Sequence, residues 1–404
     1  MKKLLLSAFA CDPTKGSEPG YGWNWAVGLA GEGYEVHCIT RDVAKETIEK
    51  TVKPYNVHFH YVVLPLGLER LYSASQPTMY LYYILWQWQA YKTARRLHKQ
   101  EPFDLAHHVT WGSLQMGSFL YKLNIPLIFG PAGGGQRAPA AFKNYFGKHW
   151  HAEQKREAVT KWMLRFNPAC RQMFKKANML LAANTETLAM AKTNGALNTS
   201  MVLDVALPES FYPQRQILKA PSKDQLRLLW TGRFLPRKGI LLLLDVMKAL
   251  KEYPGITLTV VGDGEMKDAF LSKRVEYKLE KTVDWKGRVS YEAIRDYYAS
   301  HDVFFYTSLR DSGSLQLVEA MAFGLPIVCL HLHGQAIIVD DTTGIRCKCD
   351  TPETAIENLK QAIIYLYNHP DKVKNMSEAA YNFAEQQKWQ HKIGAIVNQY
   401  YPRQ

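Results

Sequence analysis

The sequence predicts an α/β protein of two domains, each a parallel sheet whose strands are joined by helical crossovers. Three observations carry this. Short continuous apolar runs such as Lys3–Cys11 (KLLLSAFAC) and Leu226–Trp230 (LRLLW) have the pattern of strands buried on both faces. Each is followed by a Gly-bearing loop, a helical stretch and another apolar run, the unit that closes a right-handed parallel crossover. The pattern restarts after a Pro-punctuated polar stretch, Val202–Pro213 and Ala220–Asp224, so the 404 residues divide into domains at 1–212 and 213–386, with a last helix at about 387–404.

Composition narrows the function classes. At 47% hydrophobic and 22% charged, with no low-complexity tract, the chain is that of a soluble globular protein. No apolar run approaches the roughly 20 residues of a membrane span. Met1–Ala10 superficially resembles a signal peptide but runs directly into a Gly-rich loop, so it is read as the first strand. The six cysteines are scattered, several inside apolar strands, which fits a reduced cytoplasm better than a disulfide framework. Cys347-Lys-Cys349 has no second ligand pair, and no metal site is expected. The formal charge of +13 calls for an anionic partner: a diphosphate substrate, an anionic membrane or nucleic acid. No helix-turn-helix, zinc-finger or RNP pattern accompanies it, so nucleic acid is not expected.

In the first domain, Asp12–Gly22 (DPTKGSEPGYG) reads as a loop, Trp23–Ala30 as a helix and Tyr34–Thr40 as the second strand. Gly20 or Gly22 would let backbone approach a phosphate or sugar, or would only make the turn. Tyr55–Leu64 is another strand. Residues 69–100 form a long aromatic helical stretch, either a core helix between layers or one resting in part on a lipid surface. Phe103–Val109 (FDLAHHV) is a strand that places His107 and His108 near its carboxyl end, where open α/β sheets hold ligands. A buried, satisfied histidine is the alternative for either. Ile125–Gly130 is followed by PAGGGQRAP, three glycines at the same sheet edge. Residues 141–176 hold nine Lys or Arg interleaved with Trp150, Trp162, Met163, Phe166 and Phe174, which suits either an anionic interface or a solvated helix face. Met179–Ala183 is a strand, and Asn184 looks like a helix cap.

In the second domain, Thr231–Gly239 (TGRFLPRKG) is a basic Gly loop in which Arg233 and Lys238 could grip two phosphates or simply face solvent. Ile240–Lys251 is a helix, Thr257–Val261 a strand ending in Gly262-Asp263-Gly264-Glu265, Val283–Gly287 a short strand and Ser290–Ser300 an amphipathic helix. Tyr306–Leu330 (YTSLRDSGSLQLVEAMAFGLPIVCL) reads as a strand end, a Gly/Ser loop, a helix and a strand. Ser312-Gly313-Ser314 opens that helix, turning unpaired amides and the positive dipole end outward, with Asp311 before it and Glu319 on it. A ligand carrying phosphate and several hydroxyls suits such a loop; an ordinary capped helix with a surface Glu is the plain alternative.

These segments (TGRFLPRKG, VVGDGE, WKGRV, YTSLRDSGSLQLVEAMAFGLPIV and TTGIRC) resemble, in order and spacing, the donor-binding domain of retaining glycosyltransferases of family 4. GSEPGYGWNWAVGLAGEGYEVHCIT and FDLAHH resemble the family's first half more loosely. The resemblance implies a GT-B fold, two Rossmann-like domains with parallel sheets facing across a cleft, and a last helix, Trp389–Tyr401, returning to the first domain. It implies that Arg233 and Lys238 hold the donor diphosphate and that amides near Ser312, Gly313, Ser314 and Leu315 meet phosphate. Arg288 and Val289 would read the base, Glu319 would accept the ribose hydroxyls, and Gly20 and Gly262 would line the donor site. Asp311, where the family has Glu, would bind the transferred sugar. His107 or His108 would be the active-site histidine, so His107, His108, Asp311 and Glu319 are the candidate catalytic residues. His333-Gly334-Gln335 departs from the family's Gly-Gly pair and downstream Glu.

The implied reaction moves a sugar with retention from a nucleoside-diphosphate sugar to a saccharide or lipid-linked saccharide, as in bacterial surface polysaccharide synthesis. No cofactor is implied, and the sequence has no Asp-x-Asp to hold a cation. The expected setting is cytoplasmic, with peripheral contact at the inner membrane face. The competing readings are a catalytically silent binding protein on the same fold and a sugar-nucleotide epimerase. A nicotinamide dehydrogenase fits least, because neither Gly loop has the G-x-G-x-x-G spacing.

Overall fold

The structure, a computed structural model, describes residues 1–402. The chain forms two units. The first comprises Met1–Gly135, Ala158–Asp204 and the segment from Trp389; the second comprises Gln136–Glu157 and Val205–Lys388.

In the first unit seven parallel strands lie in the order β3-β2-β1-β4-β5-β6-β7. They are β1 (Lys3–Ser7), β2 (Glu35–Arg41), β3 (Val57–Val62), β4 (Leu105–His108), β5 (Leu127–Ala132), β6 (Met179–Ala182) and β7 (Thr199–Met201). The central strands are buried along their whole length, which is why they read as unbroken apolar runs rather than alternating ones. β1 stops at Ser7, four residues short of the apolar run, and the following helix begins at Ser17 rather than Trp23. Apolar content alone does not tell a strand from the buried loop that follows it.

The aromatic stretch becomes two helices, Arg70–Ala74 and Gln76–Gln100, the second capped by Ser75, whose hydroxyl accepts from the Thr78 amide at 3.4 Å. Its Tyr82, Tyr83 and Trp86 are fully buried. Tyr83 and Trp86 meet the Phe9 ring edge-on at 5.0 and 4.9 Å, so this face is core. The final helix, Trp389–Tyr400, packs on Ser17–Gly31: the Trp389 ring lies 5.2 Å from Tyr21, and Ile393 fills the space a Cβ on Gly28 would occupy.

The second unit is a six-stranded parallel sheet in the order β10-β9-β8-β11-β12-β13. Its strands are β8 (Leu226–Thr231), β9 (Ile256–Val261), β10 (Val283–Gly287), β11 (Val303–Tyr306), β12 (Ile327–Leu330) and β13 (Gly344–Cys347). The order reverses between β8 and β11, which brings the loops after those strands, 232–239 and 307–314, side by side at the carboxyl edge.

Residues 136–157 contribute to this second core, although the sequence places them inside the first domain. Phe142 and Phe146 are buried in the same cluster as Trp230, Leu243 and Phe305. Tyr145 donates to Asp245 at 2.8 Å. The basic-aromatic stretch is thus divided: its amino half joins the core of one unit, and its carboxyl half, from Ala158, belongs to the other, where Met163 and Phe174 are buried while Trp162 and Phe166 are exposed. All six cysteines are free and buried. Burial lifts the Cys347 and Cys349 thiols to about 12 and about 11, which suits packing rather than metal ligation.

Candidate functional site

The loop after β8 carries two cations with different environments. Arg233 is exposed, whereas Lys238 is buried. Gly239, in the left-handed region at φ 65°, presses on the Thr307 carbonyl, where a Cβ would sit 2.1 Å from the oxygen. That contact locks the first loop to the one after β11. Lys238 then donates to the Tyr306 hydroxyl at 3.0 Å and to Asp311 Oδ2.

Asp311 is the hub of this cluster. Its Oδ2 also accepts from Tyr306 at 2.6 Å, and Arg237 reaches Oδ1 at 3.3 Å. Burial pushes the Asp311 carboxyl upward, but Lys238 and Arg237 outweigh it and hold the group well below the usual carboxylate range. The Tyr306 hydroxyl lies 2.8 Å from Ser314 Oγ, so the residue before the helix Leu315–Ala322 is tied into the same network.

Glu319, one turn into that helix, accepts a hydrogen bond from Tyr298 at 2.9 Å, and Tyr298 lies 3.1 Å from Thr231 Oγ1. Burial raises the Glu319 carboxyl to about 7, opposed by the Tyr298 bond and by the charge on Lys238. A cleft of about 970 Å³ opens here, lined by Gly232, Arg233, Gly262, Gly264, Arg288, Val289, Tyr291, Gln316 and Glu319. It holds two exposed guanidinium groups, a buried carboxylate and the first turn of a helix. This chemistry can neutralise an anion at one place and accept hydroxyl hydrogen bonds at another.

The structure therefore brings Arg233, Gly262, Arg288, Val289 and Glu319 to one cleft, with Lys238, Asp311 and Ser314 in an ion-pair cluster beside it. Ser312 and Gly313 form the turn between Asp311 and Ser314, and Leu315 begins the helix. Arg233 and Lys238 are not a matched grip: only Arg233 lines the cleft, and Lys238 already has Asp311. Gly262 is explained within the protein, since a Cβ there would stand 1.8 Å from the Gly232 carbonyl oxygen. The unusual His333-Gly334-Gln335 is a brace. The Gln335 side-chain amide donates to the carbonyls of Ser308 and Leu330 at 3.1 and 2.9 Å, and Gly334 abuts the Ser312 carbonyl.

The first-unit candidates behave differently. His107 and His108 are both buried with both ring nitrogens engaged, so neither imidazole presents a ring nitrogen to a ligand. His107 lies 2.6 Å from the Tyr401 hydroxyl and 2.7 Å from the Gly130 carbonyl oxygen. His108 lies 3.1 Å from both Tyr83 and Ser118 hydroxyls. Burial holds both rings neutral, at about 3 and about 4. Gly20 lies in the first helix, not in a loop, and faces the Lys15 carbonyl, which a Cβ would approach to 2.2 Å. The residue that does organise this sheet edge is Glu18, whose Oε1 accepts from the amides of Trp111 and Gly112.

Sequence reasoning missed Arg237, Tyr306, Tyr298 and Glu18. Arg237 stood in plain view beside Lys238. Tyr298 carries no local signal, because Thr231 and Glu319 reach it only through the crossovers, and Tyr306, though five residues from Asp311, reads in the sequence as one more apolar residue of a buried strand.

Residues 214–383 match the family model described as glycosyl transferases group 1. An uncharacterized glycosyltransferase of Haemophilus influenzae is 27% identical over 183 residues, 45% of this chain and 49% of that protein. The Saccharomyces cerevisiae phosphatidylinositol N-acetylglucosaminyltransferase GPI3 subunit is 25% identical over 167 residues, 40% of this chain and 36% of that protein. These matches span half or less of the curated relatives. Among solved structures, sucrose-phosphate synthase from Thermosynechococcus elongatus superposes with a TM-score of 0.71 at 16% identity, covering 99% of this chain and 98% of that one. Anabaena HepE in complex with UDP gives 0.63 at 16% identity, covering 98% and 99%. The lipopolysaccharide outer core galactosyltransferase WaaB gives 0.65 at 14% identity, covering 98% of each chain. Residues 214–383 thus match the group 1 glycosyltransferase model, and the chain has two Rossmann-like units with the GT-B fold.

Proposed function

We propose that the protein is a retaining, metal-independent glycosyltransferase that moves a sugar from a nucleoside-diphosphate sugar to a saccharide or lipid-linked saccharide. The carrying observation is the cleft at the β8/β11 reversal, where Arg233 and Arg288 face a helix amino end and the buried Glu319 carboxylate. The spacing suits a nucleoside diphosphate: cations and amides for the two phosphates, Glu319 for the ribose hydroxyls, and the backbone at Arg288 and Val289 for the base edge. HepE, a neighbour by fold, was solved with UDP in place.

In this reading the anomeric C–O bond to phosphate breaks as the acceptor oxygen bonds to the same carbon. The acceptor proton passes to the departing phosphate oxygen. Arg233 and the helix amides stabilise the charge that develops on that phosphate, the largest contribution such a site can make. Lys238 keeps Asp311 ionised and fixed, and Asp311 orients the sugar hydroxyls. His107 and His108 hold the strands of the first unit in place.

The acceptor reading draws on the surface of the first unit. Trp162 and Phe166 are 60% and 56% exposed beside Lys161, Arg165 and Arg171, a basic-aromatic surface suited to anionic headgroups. No helix among the described residues is long and apolar enough to cross a membrane. We infer a peripheral, cytoplasmic enzyme of surface-polysaccharide assembly.

The test is a screen of UDP-, GDP- and ADP-sugars for thermal stabilisation, followed by nucleoside diphosphate release with and without saccharide acceptors. Stabilisation by one nucleotide class with acceptor-dependent release supports the assignment. Stabilisation without release would identify a silent binding protein, and donor epimerisation without an acceptor would identify an epimerase.

A further inference from the structure

A second cluster of ligating side chains lies far from this cleft in sequence, in the first unit. Alternation along β2 puts Glu35 and His37 on one face, and the parallel register sets His58 of β3 directly opposite His37. Glu35 Oε1 lies 3.5 Å from His37 Nε2 and 3.7 Å from His58 Nε2, and the three ligand atoms are all within 4.8 Å of one another. Tetrahedral zinc with bonds of about 2.0–2.2 Å separates its ligand atoms by roughly 3.3–3.6 Å. Two of the three edges are therefore already near the coordination length.

His37 supplies the second observation. It is about nine-tenths buried, and its Nε2 makes only the long 3.5 Å approach to Glu35 Oε1, short of a formed hydrogen bond. A buried ring nitrogen left unbonded is costly unless something occupies the position it faces. Its other nitrogen, Nδ1, lies 3.1 Å from His60 Nε2. When Nδ1–H donates to His60, the Nε2 lone pair faces Glu35 and His58 and is available to a cation; in the other tautomer Nε2–H faces the Glu35 carboxylate instead. A bonded outer nitrogen that fixes the tautomer is the usual support for a metal-ligating histidine. Phe103 packs on the His37 ring at 5.1 Å and walls off that side. Lys3 lies 3.9 Å from Glu35 Oε2, the oxygen not used here, and bonds more closely to Glu101.

We propose that Glu35, His37 and His58 form a binding site for a divalent transition metal of the zinc class, with His60 as the positioning residue and one coordination position open to solvent beside the exposed His58. The nitrogen-rich donor set with one carboxylate favours zinc over magnesium or calcium. Glu35 begins β2 and His58 is second in β3, so the site sits at the amino end of the strands. The sheet's ligand loops lie at the opposite, carboxyl end. The metal would clamp the edge strand β3 to its neighbour, a structural role separate from the proposed sugar transfer.

The test uses tag-free, chelator-stripped full-length protein titrated with Co(II), then with Zn(II) as competitor. Wild type is expected to take up one equivalent with visible bands of four- or five-coordinate intensity, which zinc displaces, and to unfold at higher temperature with zinc. His58→Ala and Glu35→Gln, both at exposed or half-exposed positions, should abolish the bands while leaving the metal-free unfolding temperature unchanged. His60→Ala should weaken affinity by roughly 10–100-fold. Co(II) binding of equal affinity in His58→Ala, or no stoichiometric binding in wild type, would overturn the proposal.

Discussion

Glu319 shows how burial sets the chemistry of a single side chain. Its carboxyl, lifted to about 7 against an ordinary value of 4.5, makes folding unfavourable to the ionised form. The sign follows from linkage: below about pH 4.5 both folded and unfolded states hold the proton, and as pH rises toward 7 only the folded state retains it. Stability is therefore lost across that window, by at most about 3 kcal/mol. Glu319→Gln can still accept from Tyr298, so the variant should gain stability relative to wild type between pH 5 and pH 8. Urea unfolding at the two pH values measures it, and a pH-independent difference would contradict the buried-carboxylate account. Lys238 is the converse case. Lys238→Ala leaves Asp311 with Arg237, Tyr306 and the Ser312 amide, and breaking such a buried pair costs about 3–5 kcal/mol. Arg233→Ala, at an exposed position, should cost little stability but weaken nucleotide binding. Unchanged nucleotide affinity in the Arg233→Ala/Lys238→Ala double variant would discredit the diphosphate assignment.

At the scale of elements, alternation along β4 decides what its two histidines do. His107 points to one face, where it meets Gly130 of β5 and Tyr401 at the end of the last helix; His108 points to the other, against the helix carrying Tyr83. Each imidazole joins elements distant in sequence. His107→Ala strands two buried polar groups, at about 1–3 kcal/mol apiece. It should lower the unfolding temperature without a selective loss of turnover at saturating donor. A variant with wild-type stability but greatly reduced turnover would instead restore the catalytic role implied by resemblance. The same scale explains why the loops of the second unit are firm. Gly239 against Thr307, Gly262 against Gly232 and Gly334 against Ser312 are backbone-on-backbone contacts that any side chain would block. The glycines of this cleft serve the protein's own packing, and the ligand would meet loops already in position.

For the molecule as a whole, the chain's path does not follow its apparent halves: residues 136–157 join the second core, and the segment from Trp389 joins the first unit. A nucleotide bound at the proposed site should slow hydrogen exchange in loops 232–239 and 307–319, and leave the seven-stranded sheet unchanged. Equal protection of both units would place the ligand elsewhere. The sequence by itself determined the two parallel sheets, because strands buried on both faces must be written as unbroken apolar runs. It also marked out the second-unit cleft, because Arg233, Gly262 and Arg288 follow strands, Glu319 lies on the helix after the next one, and the motifs around them carry the family resemblance. What only the tertiary structure decided was partnership. Lys238 with Asp311, Tyr298 with Glu319, and His37 with His58 join side chains 73, 21 and 21 residues apart. Phe142 and Phe146 likewise found a core on the far side of the linker. Which buried groups meet depends on sheet order and register, and these are fixed by the packing of the entire chain rather than by any stretch of it.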